Sequence, residues 1–510
     1  MQLINIAISN FDHEALSRIL SFDARNPLLF NTCLFLLLFC VFLLVYGAMR
    51  KWRTAKMIFV ILFSLYFYYK SSAEYCFILL GTCIFDYVLG LIMGRVAPKH
   101  RVAGRWLIAV NVVVNVGMLV YFKYFNLLYE TFANITNTSF DALDIILPAG
   151  ISFFTFRSIS YIVDIYRGEL KPAANFIDYT FFLTFFPPLL AGPVVRAKDM
   201  LPQIKSNPVA DRAMVGEGLF LIIAGLIKKV IIADYISGNF VDRIFENPQL
   251  YSGFENLLGT VGFTLQIYCD FSGYSDMAIG IALLLGYRFK DNFDAPFKSQ
   301  NPTEFWRRWH ISLSSWLRDY IYIPLGGNRK GKVRTHVNQM TTMVIGGLWH
   351  GASWMYLMWG ALQGALLIGH KTIRSVYRAP EKLRGNFVLK TVNILITLSF
   401  VVLGFTIFRF AIASPHIGES WAAFMAMMKQ IFTDFRPEVI PAFYDAYAVI
   451  VILIIAGYVI HFAPRKMQSG LTKVFVGSHP IVQTIVLVLV LFVVIQVRQS
   501  DIVPFVYLQY

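Results

Sequence analysis

The sequence predicts an all-α, polytopic membrane protein, and three observations carry that prediction. Of 510 residues, 57% are hydrophobic and only 15% are charged. A soluble domain carries nearer a quarter charged residues, so most of the outer surface must face lipid. Apolar runs of spanning length recur from end to end, at 28–49, 57–69, 76–93, 106–122, 392–408, 449–462 and 481–497. At about 17 to 25 residues per crossing, the chain has room for about eleven to thirteen spanning or re-entrant helices. Charge, finally, is sorted by side. Basic residues cluster in short loops (Arg50, Lys51, Arg53, Lys56; Arg95, Lys99, Arg101, Arg105; Arg167, Lys171), whereas 124–142 holds no Lys or Arg. The positive-inside rule sends those loops to the cytosol and the amino terminus outside. Topology thereby accounts for the net charge of +15, and no nucleic-acid partner is expected.

Residues 1–27 lack the basic start of a cleavable signal peptide. Leu16, Ile19 and Leu20 share one helical stripe, which predicts an external interfacial segment. From 28 to 498 the chain is expected to form a single membrane domain without internal repeats or low-complexity linkers. Residues 499–510 follow as an extracytoplasmic aromatic motif. Breakers mark the interior at 148–150, Pro187-Pro188, Gly192-Pro193 and Pro324-Leu-Gly-Gly. Irregular backbone at membrane depth survives only where protein or a water-filled cavity satisfies it, so these breaks point to an interior passage.

Cys33, Cys40, Cys76, Cys83 and Cys269 are odd in number and sit in apolar runs, without the spacing of a zinc site. They are expected as small hydrophobes, with no metal. Residues 326–332 fit Gly-x-x-x-x-Gly-Lys, but Val333 stands where a magnesium-binding hydroxyl belongs and no strand precedes it, which excludes nucleotide hydrolysis.

Two histidines interrupt this apolar background, His310 in Phe-Trp-Arg-Arg-Trp-His and His350 in Gly-Leu-Trp-His-Gly. A titratable imidazole in a spanning segment is costly and marks function. His310 belongs to a polar island, 288–334, with ten Lys or Arg against four acids, a cytoplasmic balance. Within it Phe305, Trp309, Leu313, Trp316 and Tyr320 recur at helical spacing, which predicts one interfacial helix with its aromatic face in the membrane. Arg307, Arg308 and Arg318 flank that face, as anionic-lipid contacts or as a basic rim for a phosphate-bearing donor. Upstream, Asp270, Ser272 and Asp276 insert polarity into an apolar run. Ser272 and Asp276 share a helix face, and Asp276 is expected to orient an imidazole or to pair with an Arg.

Together the segments Leu147-Pro-Ala-Gly-Ile-Ser-Phe-Phe-Thr-Phe, Tyr161-Ile-Val-Asp-Ile-Tyr-Arg-Gly, Ala191-Gly-Pro-Val-Val-Arg, Tyr268-Cys-Asp-Phe-Ser-Gly-Tyr-Ser-Asp, Phe305-Trp-Arg-Arg-Trp-His, Trp316-Leu-Arg-Asp-Tyr-Ile-Tyr-Ile-Pro-Leu-Gly-Gly-Asn-Arg and Gly347-Leu-Trp-His-Gly-Ala resemble the bacterial branch of the membrane-bound O-acyltransferase family. That resemblance covers roughly 28–370, with its core motifs in 147–370. It implies helices in a ring around a thin centre, a cytosolic funnel for an acyl donor, His350 as the catalytic residue and His310 in the same site. Trp306, Arg307, Arg308, Trp349, Asp270, Ser272 and Asp276 are the candidates for binding substrate. The implied activity is O-acetyl transfer from a cytosolic thioester, acetyl-CoA or an acyl carrier protein, to an exported polysaccharide at the bacterial inner membrane. An extracytoplasmic acyltransferase or esterase-like partner would complete it, and no permanently bound cofactor is required. Lipid, teichoic acid or protein are alternative acceptors.

The chemistry follows from the groups. A hydroxyl is a poor nucleophile until a base begins to remove its proton, and imidazole, with an ordinary pKa of about 6.5, suits that task. His310 is expected to donate to the developing oxyanion or to position the thioester. Tyr507, in Phe-Val-Tyr-Leu-Gln-Tyr at the carboxyl end, is expected either to relay the acyl group or to serve as an interfacial anchor. A proton-coupled transporter, with His350 as relay and Asp276 as its partner, is the rival from another class.

Overall fold

Residues 19–23, 27–376, 386–414, 416–497 and 505 are described by a computed structural model, which is helical and has no strand among them. In chain order the helices are α1 (Cys33–Ala48), α2 (Arg53–Ser72), α3 (Cys76–Val96), α4 (Arg101–Leu119), α5 (Phe125–Thr136), α6 (Ile151–Arg167), α7 (Phe176–Thr184), α8 (Ala197–Ser206), α9 (Arg212–Leu226) and α10 (Asp242–Glu246). They continue with α11 (Gly253–Leu284), α12 (Pro302–Arg308), α13 (Ile311–Leu317), α14 (Gly331–His350), α15 (Trp354–Val376), α16 (Phe387–Ala413), α17 (Ile417–Thr433), α18 (Ile440–Phe462), α19 (Arg465–Gly477) and α20 (Pro480–Val497). Leu16 and the rest of the proposed amino-terminal stripe before Ile19 lie outside the described residues, as does Tyr507.

The apolar runs fall on α1 to α4, α16, α18 and α20. Among the described residues six helical segments are long and apolar enough to cross a membrane, and the chain is a multi-pass membrane protein. These segments turn most of their surface outward: the apolar window is 17% buried in α1 and 11% in α20. The motif-bearing helices are inside. On α6, residues from Ile151 to Ile162 are buried without a break, polar ones included. α11, with 32 residues, is about 48 Å long, and it is absent from the six because Gln266, Asp270, Ser272 and Asp276 interrupt its apolar run.

Contacts join the basic loops to one another. Arg101 donates to the Tyr166 carbonyl, Arg167 to the Asp319 carbonyl, and Arg196 pairs with Asp319 at 2.7 Å. Arg53 pairs with Asp178 and Lys290 with Asp199. The basic loops and the 288–334 island thus meet at one end. At the other, Glu130 from the stretch without basic residues holds His416 at 2.7 Å.

Buried polarity is compensated between helices. Asp86 of α3 accepts from Ser158 (2.7 Å), Asn111 (3.0 Å) and Tyr179 (2.8 Å), tying α3, α4, α6 and α7 together. α9 and α11 touch backbone to backbone: a β-carbon on Gly225 would stand 2.5 Å from the Gly273 carbonyl oxygen, and one on Gly273 2.8 Å from the Gly225 oxygen. Small residues permit this close approach, which dispersion then stabilises. Gly225→Val should force the pair apart and cost roughly 1–3 kcal/mol, read as a lower unfolding midpoint in detergent, while Gly47→Val, whose β-carbon meets nothing within 4 Å, should leave it unchanged.

Candidate functional site

The expected single interfacial helix is instead broken, and its aromatic stripe is inside the protein. α12 stops at Arg308 and α13 starts at Ile311, with His310 between them in the left-handed region at φ 45°. A non-glycine residue held there is strained and needs its surroundings to fix it. The segment 292–294 does so, since Asp294 N donates to the Arg308 carbonyl and Ile311 N to the Asn292 carbonyl, each at 2.9 Å. Phe305, Trp309, Leu313 and Trp316 are all buried. Trp316 stacks on Phe156 with ring centres 3.7 Å apart and donates to the Phe156 carbonyl. Protein contacts on two sides, not lipid, are what the stripe satisfies.

The turn directs the buried His310 ring inward, where its Nδ1 lies 3.1 Å from Asn292 Oδ1. That oxygen also accepts from the Ser312 backbone N–H (3.2 Å) and hydroxyl (2.8 Å). It is an acceptor three times over, so the network assigns the proton to His310 Nδ1.

His350 ends α14. At 1.5 Å per residue, the 20 residues of this helix span about 30 Å from the basic end at Gly331. The last carbonyls of a helix have no partner within it, and at membrane depth water cannot supply one. Two consecutive residues of the π-helical turn Val120–Tyr124 do. Lys123 Nζ donates to the carbonyls of Trp349 (2.8 Å) and His350 (3.1 Å), and the Tyr124 hydroxyl donates to that of Leu348. Lys123 also sets its amine N–H donors at the negative end of the helix dipole. As a lone cation in an apolar run it obeys the rule that singles out His350, yet motif reasoning passes over it. Asn292 is missed as well, because an uncharged residue in a turn gives no sequence signal.

The two imidazoles are brought together around Trp349, whose ring centre is 5.0 Å from that of His350 and 5.9 Å from that of His310. Trp359 and Phe408 meet the His350 ring edge to face, each at 5.2 Å. α14 and α15 approach closely enough for this because Gly347 and Gly360 face each other.

Cavities lie near the aromatic group, one reaching it through Trp306, whose ring centre is 5.8 Å from that of Trp359. A cavity of about 380 Å³ is lined by Trp306, Arg307, Arg318, Gln339, Leu367 and Lys371 among others, and an adjoining one of about 410 Å³ by Arg307, Arg308 and Arg374. Arg307 and Thr303 belong to both. A smaller hollow is lined by Lys123, Pro148, Gly150, Leu190, Trp349 and His350, so of the predicted breaks 148–150 borders this space, whereas Pro187, Pro188, Gly192 and Pro193 are not among its lining residues. Trp306, Arg307, Arg308 and Trp349 are therefore cavity residues. At the rim, burial pushes the Asp319 carboxyl up, but the guanidinium groups of Arg318 and Arg196 outweigh it and hold Asp319 below its ordinary range.

Asp276 holds neither an imidazole nor an arginine. Lys228 pairs with it at 2.6 Å, and Lys229 pairs with Asp270 (2.6 Å) and Asp234 (2.7 Å). Ser272 is buried beside them. These three residues are not among those lining the cavities above. Gly326 and Gly327, at φ 111° and 55°, form a turn before α14 with no strand ahead of it among the described residues. The described residues also hold no cluster of metal-ligating side chains.

The model of the MBOAT, membrane-bound O-acyltransferase family matches residues 170–411. A probable alginate O-acetylase of Pseudomonas aeruginosa is 41% identical over 409 residues, 78% of this chain and 75% of that protein. A peptidoglycan O-acetyltransferase of Helicobacter pylori is 35% identical over 77% of this chain and 79% of its own length. A teichoic acid D-alanyltransferase of Streptococcus thermophilus is 32% identical over 51% of this chain and 67% of its own.

Lys123→Met should leave two buried carbonyls without their donor and cost roughly 1–3 kcal/mol of stability. Arg307→Met, at an exposed rim position, should stay within about 0.5 kcal/mol of the parent. Unfolding midpoints of both variants in one detergent check the contrast.

Proposed function

This chain belongs to the membrane-bound O-acyltransferase family, and on that premise we propose that it acetylates hydroxyl groups of an exported cell-surface polysaccharide, of the alginate or peptidoglycan kind. The observation that carries the reading is His350 at a buried helix end, lining a small hollow, with a basic cavity that reaches its aromatic surround through Trp306. Arg307, Arg308, Arg318, Lys371 and Arg374 suit the phosphates of acetyl-CoA or of a phosphopantetheine-bearing carrier. The basic loops then face the cytosol of a bacterial inner membrane, the amino terminus faces outside, and the donor enters where the positive charge is.

His350 acts as the base. It takes the proton of the attacking hydroxyl as the new C–O bond forms, the thiolate leaves as the C–S bond breaks, and the proton returns to that sulfur. Low polarity around the ring favours its neutral, proton-accepting form. His310 positions the thioester. The first acceptor hydroxyl is either that of the polymer or that of Tyr507, from which an extracytoplasmic partner would collect the acetyl group. Alginate and peptidoglycan acetylation are what two relatives are named for, and the more distant D-alanyltransferase supports acyl transfer to a surface polymer in general.

Full-length protein in detergent, given radiolabelled acetyl-CoA and a soluble polysaccharide acceptor, should consume the thioester without any ion gradient. His350→Ala should lower turnover by about 10²–10⁴-fold while the protein stays folded. Thioester left intact by the parent protein, with label accumulating in vesicles only under a proton gradient, would replace the enzyme by a transporter. Acetyl found by peptide mass analysis on Tyr507 supports the relay, and full activity in Tyr507→Phe excludes it.

A further inference from the structure

We propose that the indole N–H of Trp359 and the side-chain amide N–H of Gln363, one turn apart on α15, form the pocket that receives the oxyanion of the reacting acyl group; this rests on the acyl-transfer reading. Trp359 is 2% exposed, and among the described residues its Nε1 has no hydrogen-bond partner. A buried donor left unmade costs about 1–3 kcal/mol, and native structures keep few of them. This one adjoins the imidazole of His350, with ring centres 5.2 Å apart and planes at 88°.

Gln363 supplies the second donor. Its Oε1 accepts from Trp306 Nε1 at 3.3 Å, which fixes the amide so that Nε2 turns the other way. Both donors then face the same space beside Gly404 of α16: a β-carbon there would stand 2.7 Å from Gln363 Nε2 and 3.6 Å from Trp359 Nε1. Only a glycine lets Gln363 Nε2 approach α16 this closely, so the two donors converge at one point beside its backbone. Phe408, one turn further along α16, packs against His350 and Trp359 at 5.2 and 5.3 Å, which ties this part of α16 to the imidazole. From the opposite direction Trp306 lines the large basic cavity and touches Trp359 at 5.8 Å. An acyl group fed past Trp306 meets the two donors beside His350.

Electron accounting gives the donors their task. As the hydroxyl oxygen bonds to the carbonyl carbon and His350 takes its proton, the C=O π pair moves onto oxygen; the charge returns when the C–S bond breaks and thiolate leaves with its electron pair. Donors fixed beforehand stabilise that transient charge without reorganising. His310 is poorly suited to it in neutral form, since the Asn292 bond keeps its proton on Nδ1.

The test uses full-length protein in detergent with acetyl-CoA as probe. Trp359→Phe keeps an aromatic ring and removes the N–H, and Gln363→Met keeps the volume and removes the amide. Each should lower kcat about 10²-fold with KM for acetyl-CoA within about twofold, and Gly404→Ala, whose β-carbon would push Gln363 Nε2 aside, should do likewise. A trifluoromethyl ketone analogue of the thioester, bound as its tetrahedral hydrate formed by addition of water, should lose affinity in Trp359→Phe by a similar factor, whereas S-ethyl-CoA, which has no thioester carbonyl, should bind parent and variant alike. Folded Trp359→Phe or Gln363→Met with kcat within threefold of the parent overturns the proposal, as does equal weakening of both analogues. Gln363→Met carries the test if Trp359→Phe does not fold. A parent protein that leaves acetyl-CoA intact overturns the acyl-transfer reading itself, a separate result from a parent that is active beside an equally active variant.

Discussion

Everything at the site depends on how one helix is allowed to end inside a membrane. α14 carries His350 on its last residue, where carbonyl groups run out of intrahelical partners and lipid offers none. Lys123 and Tyr124 fill the deficit from the π-helical turn at Val120–Tyr124. The extra residue in that turn brings two neighbouring side chains to bear on three successive carbonyls. Because the bonds go to the backbone of Leu348, Trp349 and His350, they fix the helix end from which the two rings project. The same lysine lines the hollow beside His350, so the group that ends the helix also borders the candidate site.

How legible the molecule was differs by the kind of signal. Apolar runs of spanning length report directly on transfer free energy, and all seven lie on helices; the basic loops, which report on sidedness, gather at one end. The burial of His350 was legible for the same reason, since a polar group at membrane depth is costly enough to stand out. The stripe from Phe305 to Tyr320 misled because periodicity says that a face is apolar and not what covers it: the same spacing fits lipid or the interior. Nor does it report the left-handed turn at His310, which depends on hydrogen bonds from 292–294, far too local and too polar to leave a hydrophobic pattern.

The partner of Asp276 was illegible for a further reason. Lys228 and Lys229 are adjacent in sequence, and on a regular α-helix neighbours diverge by about 100°, so both would not be expected to serve one facing helix. They lie in the π-helical segment Ile227–Asp234, where the wider turn lets Lys228 reach Asp276 and Lys229 reach Asp270 on α11. Close glycine contact between α9 and α11 just before that segment brings the backbones near enough for the pairs to form.

This pairing bears on the chemistry. A carboxylate enclosed in low dielectric keeps its charge only with a cation beside it, and breaking such a pair is strongly unfavourable. Asp270 and Asp276 are thereby committed to their lysines, and what surrounds the two histidines is mostly uncharged: Asn292, Trp349, Trp359, Phe408 and Tyr356. Under the proposed acyl transfer, charge developing on a carbonyl there would be met by dipoles already in position, and the same exclusion of water that makes an orphan N–H expensive before the reaction would make it effective during it.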